Sequence, residues 1–152
     1  MQRAEHLSTR AISFQNDVAV VFLLDTNAIS ALMREDPRVV SWLSSIRADD
    51  HVVTCSIGRG EILFGRGRLP KGQRRAALEA KAEKVFATLP CEPVTEAAAD
   101  RYASVKLSQQ RLGLALDEND LWIAATALAI GATLVSSDGD FQRVEMLTVV
   151  AP

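Results

Sequence analysis

Histidine, cysteine and aromatic side chains are scarce in this chain, and each shortage removes a class of chemistry. There are two histidines, His6 and His51, in 152 residues. His6 falls in a polar N-terminal stretch and His51 in what reads as a polar loop, so nothing arranges a Ser–His–acid triad and acyl transfer is disfavoured. The two cysteines, Cys55 and Cys91, fall on expected strands without CxxC spacing, and they read as buried free thiols rather than a disulfide or a metal site. Aromatic residues make up 5% of the chain. No apolar run reaches the ~18 residues that a membrane helix needs. The run from Val18 to Leu24 follows Asp17 directly, lacks a small-residue cleavage pattern and leads into Asp25. It therefore reads as a buried strand of a cytoplasmic protein rather than as a signal peptide. Charge of one sign is also lacking. A net charge of −2 excludes a protein coated in positive charge, although not one with a local basic stripe.

What is present is an ordinary globular balance, 48% apolar and 24% charged, on a chain long enough for one substantial core. Residues 1–17 read as a polar leader, whether a mobile segment, a short extra helix or an extension upstream of the domain's working start, and 18–152 read as the working domain. Strands are expected at Ala19–Leu24, Val52–Ser56, Cys91–Val94, Thr133–Ser136 and Leu147–Val150. Helices are expected near Asn27–Met33, from Pro37 to about Arg47, Ile57–Arg66, Lys71–Thr88, from a Thr95 cap to about Gly113, and from Asp117 or Glu118 to Ile130 with Gly131 as the stop. In the helix after Thr95 the apolar positions Ala99, Tyr102, Ala103 and Leu107 stand near helical spacing. Trp42 and Trp122 lie in apolar helical patterns and read as core or interface. Strands separated by helices imply a three-layer α/β/α sandwich with a mostly parallel central sheet.

On that layout four acids fall where the chain leaves a strand or enters a helix: Asp25, Glu61, Asp120 and Asp138. The carboxyl ends of parallel strands share one edge, where ligands bind, so carboxylates from distant segments would meet there. Four such groups repel unless a divalent cation lies among them, and oxygen ligands without His or Cys point to Mg²⁺, with Mn²⁺ able to substitute. Two such ions can activate a water and neutralise the charge that develops in phosphodiester hydrolysis. Each acid also has a plainer reading. Asp25 could cap the helix after it, Asp120 is favourable in a first helical turn, Asp138-Gly139-Asp140 could be a turn, and Glu61 could be solvated.

Four stretches carry a family resemblance: Phe22-Leu23-Leu24-Asp25-Thr26-Asn27, Ser56 to Gly65 around Glu61, Asn119 to Ala127 after Asp120, and Leu134 to Phe141 around Asp138. In order and spacing over about residues 20–150 the chain resembles the PIN-domain toxin ribonucleases of VapBC-type toxin–antitoxin pairs. The resemblance implies a PIN-like fold and an endoribonuclease whose acidic quartet is Asp25, Glu61, Asp120 and Asp138. Ser136 would be the supporting hydroxyl, and Thr26 would support the first carboxylate. It also implies a protein antitoxin, a homodimer and a toxin–antitoxin hetero-oligomer, and no membrane. Two features depart from the pattern: the leader, and Ile57-Gly58-Arg59-Gly60, whose glycines weaken helix propensity just before Glu61.

The region 59–84 holds eight Lys or Arg against three Glu, a local net of +5. Beside an acidic pocket it reads as a surface that tracks RNA phosphates, with Arg66, Arg68, Lys71, Arg74 and Arg75 as its contacts; the alternative is a solvated helix face. Aromatics are sparse there, Phe64 within the region and Phe86 just beyond it, which favours recognition of RNA shape and backbone over base stacking. Two rival functions remain. One is an aspartyl-phosphate phosphatase using Asp25, which would want an acid two residues on, where Asn27 stands. The other is a catalytically silent RNA- or partner-binding module. For the toxin reading, the antitoxin's C-terminal segment is expected to lie in an apolar groove lined by Ile29, Leu32, Trp42 and the Ile62–Phe64 helix. From there it would project an Arg or Lys towards Asp25, Glu61 and Asp120.

Overall fold

Leu23 and Leu24 are both fully buried. Neighbouring residues of a strand point to opposite faces, so the strand that carries them must be covered on both sides. The computed structural model describes residues 18–152; the expected leader, with His6, lies outside the described residues. Strand β1 (Val21–Leu24) is the centre of a five-stranded parallel sheet of order β3-β2-β1-β4-β5, with β2 His51–Cys55, β3 Cys91–Glu92, β4 Thr133–Val135 and β5 Val149–Val150. Six helices connect the strands: α1 Thr26–Met33, α2 Pro37–Ser45, α3 Ser56–Gly67, α4 Gln73–Thr88, α5 Glu96–Arg111 and α6 Glu118–Ala129. A 3-10 turn follows at Gly139–Arg143.

The alternation sorts the core into two layers. Leu23 is in register with Val53 and Leu134, and these face α5 and α6 with Val105, Leu121, Ile123 and Phe141. Leu24 and Val135 face the other way, against Ala28, Ile29 and Met33 of α1, Ile62 of α3, and Ala82 and Val85 of α4. Each fully buried large side chain in these layers is worth about 1.5–3 kcal/mol of hydrophobic transfer. The three-layer sandwich follows from the sequence's alternation of strand and helix.

Helix starts obey their caps. Asp36 accepts from the Arg38 amide ahead of Pro37, Thr95 from Ala98, and Asp117 from Asn119. Gly131 takes φ +66°, the left-handed conformation that ends α6. The glycines before Glu61 do not break α3. A Cβ at Gly58 would stand 3.1 Å from Ile29 Cδ1, so close approach of α1 and α3 offsets the ~1 kcal/mol that glycine costs a helix relative to alanine.

Three expectations need correction. Cys91 is exposed while Cys55 is buried, because β3 is a two-residue strand at the sheet edge whereas β2 lies inside the sheet. His51 opens β2 and is hydrogen-bonded to the Val20 carbonyl through its amide, so it is not in a loop. Helix α5 buries Ala98, Val105 and Gln109 with Tyr102 half-buried, leaving Ala99, Ala103 and Leu107 outward. Small alanines bias a helix's facing weakly, and the stripe that meets α6 is the one that carries Tyr102 and Val105. Trp42 lies edge-on to Phe22 at 5.0 Å and Trp122 stacks on Tyr102 at 4.0 Å, both packing roles as expected.

Candidate active site

The chain runs outward from β1 through β2 to β3 and then returns to place β4 on the other side of β1. Crevices at such a reversal, outside the carboxyl ends of the strands, are where open α/β sheets bind ligands. Asp25 follows β1 and Ser136 follows β4, so these neighbours meet. Ser136 Oγ–H donates to Asp25 Oδ2 at 2.5 Å, and the Ala28 amide donates to Asp25 Oδ1 at 2.7 Å. The capping reading of Asp25 holds for one oxygen, and the other is turned to Ser136. Ser136 also accepts from the Asp138 amide at 3.0 Å, which ties the segment after β4 to the first carboxylate.

Thr26 does not support Asp25. Its hydroxyl donates to Glu61 Oε1 at 2.7 Å, because α1 and α3 approach closely at Gly58, whose Cβ position is 3.7 Å from Thr26 Oγ1. The first carboxylate therefore has its support from Ser136, while Thr26 orients the second. Asp138 accepts from the Asp140 amide at 2.9 Å and so caps the 3-10 turn while facing the crevice.

Electrostatics show that the four acids share one space. Asp25 is 3% exposed. Burial pushes its pKa up although two hydrogen bonds favour its charged form, and Asp138 and Glu61 push the same way. Desolvation outweighs the hydrogen bonds here. Asp120 is raised to about 6, by burial first and then by the charges of Asp117, Glu61, Asp138 and Asp25. Asp117 was read from sequence only as a possible helix start; its position three residues before Asp120 was the available signal that it also belongs to this electrostatic group. None of the four carboxylates is ion-paired among the described residues.

A divalent cation fits this donor set in charge and chemistry: the donors are carboxylate oxygens, their mutual repulsion is uncompensated, and Asp120 makes no hydrogen bond through its side chain. As positioned, no three His, Cys, Asp or Glu side chains among the described residues stand close enough to enclose one ion, so ligation requires side-chain rotation.

The basic region divides in two. Arg66 donates to the Glu79 carbonyl at 3.1 Å, and Arg75 to the Glu79 carboxylate at 2.8 Å and the Leu69 carbonyl at 3.3 Å. Arg66 thus braces α3 against α4, and Arg75 ties the start of α4 to the loop before it. Arg68, Lys71 and Arg74 are exposed and make no ion pair among the described residues.

An apolar groove of about 1020 Å³ opens between α1, α2 and α4, lined by Leu32, Met33, Val40, Leu43, Val85 and Leu89 with Lys81 and Lys84 at its rim. Of the lining expected from sequence only Leu32 is there. Ile29 is fully buried, Ile62 is 8% exposed, and Trp42 turns inward onto Phe22. The groove takes Leu32 and Met33 from the last turn of α1, Met33 being part of the core as well, with Val40 and Leu43 of α2.

A parallel three-layer sheet with four uncompensated carboxylates at its reversal defines an α/β protein whose site is built around negative charge. Residues 22–147 match the model of the PIN domain, and the chain belongs to the PIN-domain family. It is 32% identical to Toxin FitB of Neisseria gonorrhoeae over 123 residues, 78% of this chain and 88% of FitB. It is 29% identical to Ribonuclease VapC1 of Haemophilus influenzae over 128 residues, 82% of this chain and 92% of VapC1. In fold it resembles the structure of VapBC2 from Rickettsia felis bound to a DNA fragment from their promoter, with a TM-score of 0.80 at 20% identity, covering 88% of this chain and 99% of that one. Among the described residues no helix is long and apolar enough to cross a membrane.

Proposed function

We propose that this protein is the toxin of a type II toxin–antitoxin pair and acts as a metal-dependent endoribonuclease through Asp25, Glu61, Asp120 and Asp138. The observation that carries the reading is the meeting of the acids at the carboxyl edge of the sheet, with Ser136 donating to Asp25 at 2.5 Å and Thr26 to Glu61 at 2.7 Å and no basic group paired to any of the quartet among the described residues; burial first, and then the neighbouring acids, raise Asp120 to about 6. Membership of the PIN family and likeness to proteins named as a toxin and as a ribonuclease support the activity class.

The quartet would hold Mg²⁺ or Mn²⁺, which when bound supplies counter-charge and a more acidic water for phosphodiester hydrolysis. The chain's own residues prepare that site. Ser136 and the Ala28 amide hold Asp25 in place, which leaves the rotation that ligation requires to the other three acids. Thr26 holds Glu61 towards α1, and the Ser136 hydroxyl sets the backbone at Asp138. Arg68, Lys71 and Arg74 lie on the exposed side of the basic region and suit phosphate contacts. The test is brief induction of the protein followed by mapping of new RNA ends, in parallel with Asp25→Asn. Discrete cuts present with the parent and absent with the variant are expected; identical cut patterns from both would overturn the site.

A protein antitoxin and assembly as a homodimer within a toxin–antitoxin complex belong to the same reading. The groove between α1, α2 and α4 suits an amphipathic antitoxin helix, which buries its apolar face there. Leu32 stands seven residues after Asp25, about 10 Å along α1. Three residues of extended chain cover that span and would bring an Arg or Lys of the antitoxin to Asp25, Glu61 and Asp120, where a guanidinium pairs bidentately with carboxylate. A peptide of the antitoxin tail should inhibit cleavage, and its Arg→Ala form should bind yet inhibit poorly at equal occupancy. Full inhibition by the variant would mean that the tail blocks RNA sterically.

A further inference from the structure

Phe64 is 69% exposed and is the one aromatic ring among the described residues that is exposed; Phe22, Trp42, Phe86, Tyr102, Trp122 and Phe141 are buried or half-buried. Phe86 explains itself by packing against the core with Arg59 over its face at 4.8 Å. Phe64 touches neither core layer and lies outside the apolar groove. Its recorded partner is Arg68, whose guanidinium lies 5.6 Å from the ring centroid. A single exposed apolar side chain is ordinary on a protein surface; what sets this ring apart is the Arg68 guanidinium over its face and the exposed Lys71 and Arg74 that follow it in sequence.

Its position along α3 gives the contact a direction. At 100° per residue Glu61, Phe64 and Arg68 fall within about 60° of one another on the helix, on a flank away from the Gly58–Ile62–Arg66 face that meets α1 and α4. Phe64 is one turn beyond Glu61 and Arg68 two turns, about 4.5 Å and 10 Å along the axis. An acid of the cluster, a bare ring and a cation therefore follow one another down a single stripe, and exposed Lys71 and Arg74 continue the positive charge beyond it.

We propose that Phe64 and Arg68 form a base-stacking subsite for an unpaired RNA nucleotide next to the cleaved bond, the ring taking the base face and Arg68 taking the adjoining phosphate or the base's other face. The inference rests on the ribonuclease reading above and adds a recognition element to it. RNA is the occupant that the charge selects. A ring beside a guanidinium, with two more cations following and no acid between Phe64 and Arg74, matches a polyanion whose bases offer π-faces. The sparse aromatics of the basic region argue from sequence against stacking, but one ring suffices when it is the one left bare.

The test uses the full chain carrying Asp25→Asn to stop turnover, with fluorescently labelled oligo(A) and oligo(U) and the same oligomers bearing one abasic residue at successive positions. Phe64→Ala should raise Kd roughly tenfold or more, as loss of a base–aromatic stack does, with the salt slope unchanged. One abasic position should weaken the parent and have no further effect on Phe64→Ala. Phe64→Trp should restore binding, and Arg68→Ala should lower the salt slope by about one. Equal Kd for parent and Phe64→Ala, or equal abasic penalties in both, would overturn the subsite while leaving the parent's RNA binding and cleavage as support for the ribonuclease reading. Loss of self-association in Phe64→Ala on light scattering, with RNA affinity per protomer intact, would assign the ring to contact with a second copy and also overturn it. Absence of RNA binding and cleavage by the parent would instead remove the reading on which the subsite rests.

Discussion

Glu118 and Asp120 stand on the same first turn of α6, and the protein treats them oppositely. Glu118 accepts a hydrogen bond from the Tyr102 hydroxyl and pairs with Lys106 at 3.2 Å. Its pKa is lowered, by Tyr102 first and then Lys106. Asp120 has no such partner, is partly buried, faces four other carboxylates and is raised to about 6. Both gain from the helix dipole, so the dipole does not separate them. What separates them is which way the turn aims each side chain: Glu118 towards α5, whose Tyr102 and Lys106 compensate it, and Asp120 into the crevice, where nothing does. Charge that serves structure is compensated at Glu118, whereas Asp120 is left without a partner at the sheet edge, the kind of perturbed carboxylate that marks a candidate site.

The largest effect that could break this contrast is catalytic. Asp25→Asn or Asp120→Asn should lower RNA cleavage by about a hundredfold or more, on the scale of losing a group that stabilises developing charge, with the circular dichroism of the fold retained. Glu118→Gln, two residues away, should cleave much as the parent does. Comparable losses in Glu118→Gln and Asp120→Asn would show that the two acids are not separate in role.

Metal removal comes next. Cleavage should stop in EDTA and return with Mg²⁺ or Mn²⁺. Either ion in hundredfold excess over its Kd should stabilise the parent by about 2.7 kcal/mol, visible as a rise in Tm. Asp120→Asn should show little of that rise. A parent whose Tm ignores both ions would mean that the quartet does not ligate.

The third prediction concerns pH. Asp120 holds its proton up to about 6 in the folded protein, against 3.8 for the ordinary group. Between those values the folded state binds more protons than the unfolded one, so this group makes metal-free stability fall as pH rises through that window. A shift of this size corresponds to at most about 3 kcal/mol, less after solvent screening. Asp120→Asn should therefore melt several degrees above the metal-free parent at neutral pH, and the gain should shrink as pH falls towards ~4. A gain that persists unchanged in acid would point to helix propensity instead.

The smallest effect tests the compensated side. Because Tyr102 outranks Lys106 in lowering Glu118, Tyr102→Phe should raise the Glu118 pKa more than Lys106→Met does in a carboxyl-carbon NMR titration. The reverse order would make the ion pair, rather than the phenol, the dominant partner.

Much of this was legible in the chain. The alternation of apolar runs with helical stretches determined the parallel sandwich, since each strand must be buried on both faces and each helix must supply a cover. The caps at Asp25 and Thr95 are legible, because a cap needs only its own turn, while the cap that the end of β2 suggests at Ser56 is not there, since Ser56 is already the first residue of α3. The acids were found by their place at strand and helix ends. Orientation around a helix was less legible: Ala99, Ala103 and Leu107 were read as the inward side of α5, and alanine-rich helices have too little apolar contrast to determine it.

Tertiary structure alone decided the partners. Thr26 hydrogen-bonds Glu61 rather than Asp25 because α1 and α3 close together over Gly58, a contact between segments 35 residues apart that spacing does not encode. Arg66 and Arg75 became braces on Glu79 while Arg68, Lys71 and Arg74 stayed outward, although all five read alike as basic residues. The groove drew its lining from the last turn of α1 and from α2, and Phe64 was left bare while Phe86 was covered. Composition and periodicity determine which elements form and which edge carries the charge; they act through local backbone preference and burial. Which side chain meets which, and so which charges stay uncompensated, depends on how rigid elements pack at ångström range, and that is settled only when the sheet and its helices are assembled.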